Sequence, residues 1–171
     1  PEADKFARIP ILTEREKENP INLTKLCLVP DWGILVGTDR AGLKFYDRHN
    51  RKTETVIPDI QVRDIKQCSE NTYWIASESG VYILNMADRS ITHLQKSLTN
   101  EYTISDNAAY SITKDREGGI WVTTFFGGIN YLPKEYVPFK YFIGGKTHPG
   151  MPGNAVREIC PDRYGNLWLG T

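Results

Sequence analysis

Residues Asn107–Thr124 read NAAYSITKDREGGIWVTT, and residues Asn154–Thr171 read NAVREICPDRYGNLWLGT. Placed one above the other at an offset of 47, they share 8 of 18 positions without a gap. Two weaker copies lie upstream: VRDIKQCSENTYWIAS from Val62 and LTKLCLVPDWGILVGT from Leu23. In all four an apolar residue precedes a Trp-type position by nine: Leu26/Leu35, Ile65/Trp74, Ile112/Trp121 and Ile159/Trp168. The anchors at 35, 74, 121 and 168 are spaced by 39, 47 and 47. A period of about 40–50 residues with strand-like segments is the period of propeller blades, not of helical solenoids.

Each copy reads as antiparallel strands. Ala109–Lys114 alternates and runs into Asp115-Arg116-Glu117-Gly118, and Asp162-Arg163-Tyr164-Gly165 repeats that turn. Asp at the first position and Gly at the fourth favour a type I turn, so the chain reverses there. Ile120–Thr124 is β-branched and aromatic on both faces, as expected of a strand in a sheet covered on both sides. Gly127-Gly128 permits a second reversal into Ile129–Leu132, and Thr38–Gly42 and Ser77–Gly80 make it with one glycine each. A fourth strand is expected at Thr53–Ile57, Ser90–Gln95 and Val137–Phe142. The fold class is therefore all-β, a propeller segment of four-stranded antiparallel blades stacked face to face. The large residue at each Trp position is expected to fill the gap between neighbouring blades.

Composition agrees. Gly 14 and Pro 10 in 171 residues supply abundant turns, and aromatic residues make up 11%. Lys+Arg 21 balance Asp+Glu 21, and the net charge of zero lacks the basic excess that a nucleic-acid binder needs. No apolar run approaches the ~18 residues of a membrane span. The chain opens Pro1-Glu2-Ala3-Asp4 without an initiator Met or an apolar leader, the start expected of a processed or trimmed chain. Three cysteines, Cys27, Cys68 and Cys160, form no metal-ligand spacing and are expected to be small buried apolar residues.

The pattern I-x-x-D-x-x-G-x-I/L-W-V/L-G/T-T followed by Gly-Gly, as in Ile112–Gly128, resembles the two-component regulator propeller repeat. Ile159–Thr171 is a closer copy, ending Leu-Trp-Leu-Gly-Thr, and Leu35–Asp47 resembles the later half of the repeat. The first copy departs from the pattern with Leu35 for Trp, and the second with Cys68 and Asn71 for Asp and Gly. The resemblance implies the periplasmic sensor region of an inner-membrane histidine kinase, often the hybrid type of Bacteroides-like bacteria. It implies an oligosaccharide or other small ligand, a homodimeric parent and a kinase that lies in a longer chain. Virginiamycin B lyase-like propellers share the D-x-x-G-x-I/L-W turn and are the enzymatic competitor. The Asp-box of sialidases has five residues from Asp to Trp where Asp115 to Trp121 is six, and kelch units place the double glycine before the Trp.

Catalysis needs reactive groups that converge, and none repeats with the blades. His49, His93 and His148 occupy unrelated positions and are expected on the surface or in packing. Glu14, Glu16 and Glu18 read as a solvated charged linker. No catalytic residue, cofactor or metal site is assigned. A lyase or glycosidase, or a purely structural dimerisation propeller, are the alternatives to a sensor. Binding requires less, because the loop from second to third strand and the loop leading into the first strand emerge on the same face of a blade. Those loops nominate Asp39, Arg40, Glu78, Tyr102, Phe125 and Phe126 as ligand contacts. Aromatic faces stack on sugar rings and polar groups bond hydroxyls, so the mixture suits a carbohydrate. Asn22, Asn107 and Asn154 lie on the lead-in loops, and the matched pair Asn107 and Asn154 is expected to hydrogen-bond the turn before each first strand.

The expected division is 1–20 as the end of a preceding blade and linker, with Lys5–Ile9 its strand, then blades at 21–58, 59–98 and 99–145. Residues 146–171 supply the first two strands of a further blade. At this period the chain is expected to be a slice of a larger propeller, whose open blade edges would be expected to pair.

Overall fold

The computed structural model describes residues 7–99, 103–134 and 155–170. The first blade contains β1 (Leu23–Val29), β2 (Gly33–Thr38), β3 (Leu43–Asp47) and β4 (Lys52–Ile57), hydrogen-bonded in chain order. The second contains β5 (Val62–Gln67), β6 (Thr72–Ser77), β7 (Gly80–Asn85) and β8 (Ile91–Leu94) in the same order. The third contains β9 (Ala109–Lys114), β10 (Ile120–Thr124) and β11 (Ile129–Leu132), with β10 central. Every pairing is antiparallel. The expected strand Val137–Phe142 lies outside the described residues. In a separate unit, β12 (Glu158–Pro161) and β13 (Leu167–Gly170) form an antiparallel hairpin with Cys160 opposite Trp168. The architecture is a partial β-propeller.

The nine-residue spacing of the anchors has a packing cause. The apolar residue of a first strand faces the preceding blade, and the Trp-type residue of the second strand faces the following one. Leu35 and Ile65 share one buried cluster between the first and second blades, with Leu43, Phe45, Tyr73 and Ile75. Trp74 and Ile112 share the next, with Ala76, Val81, Ile120 and Val122. Successive residues of β6 thus serve opposite interfaces, as the period of two requires of a sheet buried on both faces. Leu26, with no blade in front of it among the described residues, is 63% exposed where its counterparts Ile65 and Ile112 are 3%. Each such side chain, once covered, contributes roughly 1.5–3 kcal/mol.

Trp121 does more than fill space. Its indole N–H donates to Asp115 Oδ2 at 2.9 Å and its ring lies 4.3 Å from that of Tyr131. Asp115 also accepts from the Gly119 amide, and Gly118 closes the turn at φ 94° with its amide on the Asp115 carbonyl. Asp162 repeats the bond to Trp168, and bonds from Asn166 and Tyr164 hold its carboxyl down at about 2. The six-residue Asp-to-Trp spacing is therefore a side-chain clamp on the turn.

The innermost strands are joined by Asp64 of β5. Its carboxylate accepts from Ile112 N at 2.9 Å and Ser111 Oγ at 3.1 Å on β9, and lies 2.8 Å from Lys25 Nζ on β1. Lys25, Asp64 and Ser111 occupy one repeat position, immediately before the apolar anchor. At the neighbouring position the first strands of the three blades, β1, β5 and β9, each carry a β-bulge: the register skips Thr24, Arg63 and Tyr110 in turn.

Two expectations need correction. Of the strand expected at Lys5–Ile9, residues 7–9 form no ladder, and Lys5 and Phe6 lie outside the described residues. The segment runs instead past β4, where the Pro10 carbonyl accepts from Thr53 Oγ1 at 2.9 Å. Glu16 is not merely solvated. Thr13 and Glu16 form a reciprocal capping box around the single 3₁₀ turn Glu16–Glu18, and the Glu16 carboxylate takes the ammonium of Lys44, which is 2% exposed. Burial would raise the Glu16 carboxyl, but the bonds from Lys44 and Thr13 keep it below its ordinary value. Among the cysteines, Cys68 is buried and burial pushes its thiol up to about 11; Cys27 is half-buried and Cys160 exposed.

Asp64→Ala removes the acceptor of the Ile112 amide and the Lys25 partner, and should cost about 2–4 kcal/mol in denaturant unfolding. Burial acts to raise the Asp64 carboxyl, but Lys25, the Ile112 amide and Ser111 together hold it below 3.8. Its contribution is thus complete above the unfolded-state value and is lost as pH falls through the lower native one. The gap between wild type and Asp64→Ala should close under acid; a gap that is constant from neutral pH to below 3.8 would exclude this role.

Candidate functional site

The second strand of each blade ends in a hydroxyl that fixes the loop beyond it. Thr38 Oγ1 donates to Gly42 O at 2.7 Å, Ser77 Oγ to Gly80 O at 2.8 Å, and Thr124 Oγ1 to Gly128 O at 3.1 Å. The three glycines have φ of 75°, 124° and 73°, which a side chain would strain. The loops between are Asp39–Ala41, Glu78–Ser79 and Phe125–Gly127.

Each loop is tied to the lead-in loop of its own blade. Asp39 N donates to Asn22 O at 3.1 Å, Glu78 N to Gln61 O at 3.3 Å, and Phe125 N to Ala108 O at 2.9 Å. Six loops therefore present on one face. Between the first two blades they enclose an open cleft of about 460 Å³, lined by Asp39, Arg40, Asp59, Gln61, Glu78 and Ser79. Three of the residues nominated from sequence meet in this cleft.

Two of its carboxylates are already engaged. Asp39 accepts from the Asn22 amide at 2.9 Å and from Asn22 Nδ2 at 2.8 Å, and these bonds hold its carboxyl below the ordinary value. Glu78 takes the guanidinium of Arg63, with Nε at 2.7 Å. Arg63 is the bulged residue of β5, and its guanidinium lies 4.5 Å above the ring of Tyr110, the bulged residue of β9. A bulge re-aims the side chain of the extra residue, here to the loop face. Tyr110 stacks on Phe125 at 5.6 Å, and Phe125 meets Phe126 edge-on at 4.4 Å. A continuous row thus runs from the cleft at Glu78 through Arg63 and Tyr110 to Phe126, which is 85% exposed. The Phe126 amide is fixed by Asp106 Oδ2 at 3.0 Å.

Tyr102 and Asn154 lie outside the described residues. Asn107 bonds the turn before β9 through its backbone carbonyl, which accepts from Ala109 N at 2.8 Å, while its side-chain Oδ1 accepts from the Lys96 amide at 2.7 Å and links the end of the second blade to the third. Sequence reading missed Arg63, Tyr110 and Asp59; His93, expected on the surface or in packing, is found in packing on β8. The His93 ring stacks on Tyr82 at 3.9 Å, and its Nε2 donates to Ser79 O at 2.8 Å. The His93 ring therefore pins the loop that carries Glu78. Among the described residues no group of His, Cys, Asp or Glu is arranged to hold a metal ion.

The two-component regulator propeller family model matches residues 103–126 and 150–171. Those two segments match the two-component regulator propeller repeat. The matched segments contain both Asp–Trp clamps. No curated protein matches the sequence. Two solved structures of the extracellular domain of BT4673 from B. thetaiotaomicron, described in one case as a one component system and in the other as a hybrid two component system, share the fold. The first is 17% identical with a TM-score of 0.64, and the second 18% identical with the same score. Each alignment covers 97% of this chain and 22% of the solved one, so the chain spans about a fifth of the length of these relatives. No helix among the described residues is long and apolar enough to cross a membrane.

His93→Ala removes the donor to Ser79 and the stack on Tyr82, and takes no buried member from the interblade clusters, against one of which Tyr82 packs. Amide exchange of the 78–80 loop should accelerate several-fold while the melting temperature changes little. Unaltered exchange in that loop would show that the ring does not hold it.

Proposed function

We propose that the chain is part of the periplasmic ligand-sensing propeller of a bacterial two-component sensor, that it takes an oligosaccharide on its loop face, and that the kinase belongs to a longer, dimeric parent in the inner membrane. The reading rests chiefly on the joining of a polar cleft to an aromatic row on one face. Sugars offer apolar ring faces and a rim of hydroxyls. Phe126 and Phe125 suit the first, and Arg40, Asp59 and Gln61 suit the second. The extracellular placement of the BT4673 domain supports the location.

The electrostatics favour binding over acid–base chemistry. A general acid needs a carboxyl poised to hold a proton near neutral pH. Asp39 is shifted the other way by Asn22, and Glu78 is bound to Arg63. Both therefore act as fixed acceptors that shape the cleft.

Phe126→Ala and Arg40→Ala alter exposed side chains and should leave the melting temperature within about a degree or two. Each should lower affinity in calorimetry about tenfold toward whichever member of an oligosaccharide panel binds the wild type. Undiminished binding in both variants, with unchanged melting, would remove this face as the ligand site.

A further inference from the structure

A second cavity of about 500 Å³ adjoins the cleft and is lined by Arg15, Glu16 and Asn19 of the lead-in segment together with Arg40, Thr55 and Asp59. Arg40 and Asp59 line both cavities, so the two lie side by side as a groove in two parts. Each cavity alone is of a size that holds a small ligand, so the groove accommodates an extended oligomer.

The charges along it divide into two sets. Glu16 is taken by Lys44 and Thr13, Asp39 by Asn22, and Glu78 by Arg63. Arg15, Arg40 and Asp59 make no side-chain hydrogen bond or ion pair among the described residues, although the Arg40 charge does act on neighbouring Asp39. Asp59 follows Pro58 with φ 51°, a left-handed position that places it at the junction of the cavities. The groove therefore offers two uncommitted guanidinium forks and one uncommitted carboxylate.

These groups define complementary chemistry. A guanidinium presents paired donors matched to a carboxylate or a sulfate ester. An ionised carboxylate only accepts, and two neighbouring hydroxyls satisfy it. Hydroxyls of a neutral glycan also accept from a guanidinium, but as single uncharged acceptors, whereas an anionic group takes the paired fork with charge assistance. Resting on the carbohydrate reading above, we infer that the ligand is an acidic oligosaccharide, its anionic group taken by Arg40 and Arg15 and a vicinal pair of its hydroxyls by Asp59.

The test is calorimetric titration of the full chain with matched pairs of oligosaccharides. Uronate-containing members are paired with their carboxyl-reduced forms, and sulfated members with their desulfated forms. Acidic members should bind, weaken as salt is raised, and lose about tenfold or more in Arg40→Gln and Arg15→Gln, with Arg40→Lys intermediate. Whether the uronate or the sulfated pairs respond identifies which anion is read. Equal or tighter binding of the reduced and desulfated forms would overturn the acidic assignment and leave the carbohydrate reading intact. Binding of no member would overturn both.

Discussion

One carboxylate, Asp64, accepts hydrogen bonds from the first strand of the next blade and pairs with a lysine on the first strand of the blade before. The innermost strands are where blades come closest together. Burying an ionised group there is tolerable only because its oxygens are met by an amide, a hydroxyl and an ammonium. Interblade apolar clusters supply most of the adhesion, but they are non-directional and would tolerate sliding. The Asp64 bonds fix the offset of one sheet on the next. The same constraint reaches Gly37, where an added Cβ would come within 2.5 Å of Val62 Cγ1.

That offset determines the site. Arg63 and Tyr110 each stand one residue before the members of the polar chain, and each is the extra residue of a bulge. A regular strand alternates its side chains between the two faces and would return these residues to the interblade space. The bulge turns them toward the loops, where Arg63 joins Glu78 and Tyr110 supports Phe125. Holding Asp64 in register therefore also holds the guanidinium over the tyrosine ring. The fold and the candidate site share a single structural element, the opening residues of each first strand.

Much of this was legible beforehand and some was not, for identifiable reasons. The period, the Asp-x-x-Gly turns and the glycine reversals depend on residue types that recur, so alignment of Asn107–Thr124 with Asn154–Thr171 exposes them. The convergence of Asp39, Arg40 and Glu78 followed from topology, because loops at one end of antiparallel strands must share a face. The polar chain did not stand out, because Lys25, Asp64 and Ser111 are complementary rather than alike; a repeat alignment shows only scatter at that position. Bulges carry no residue signature at Thr24, Arg63 and Tyr110. The Thr-x-x-Glu capping box at Thr13–Glu16 was readable, but Glu14 and Glu18 beside it gave the segment the look of a plain charge run.

The division between shared and individual positions has a further consequence. Anchors, turn clamps and loop-closing hydroxyls recur because they solve one packing problem once per blade. The residues of the loops recur only in part: Asp39 and Glu78 are both carboxylates, but Arg40 and Ser79 differ and the third loop carries Phe125-Phe126 instead. Their loops are nonetheless restrained alike, by a hydroxyl that bonds the closing glycine and by a bond to the lead-in loop of the blade. Variable side chains on restrained backbone lose little conformational freedom on binding, so affinity is not spent on ordering the loop. A stack of similar blades can then present a different polar or aromatic group at each step without altering the frame, and recognition of an extended ligand becomes the sum of contacts contributed blade by blade.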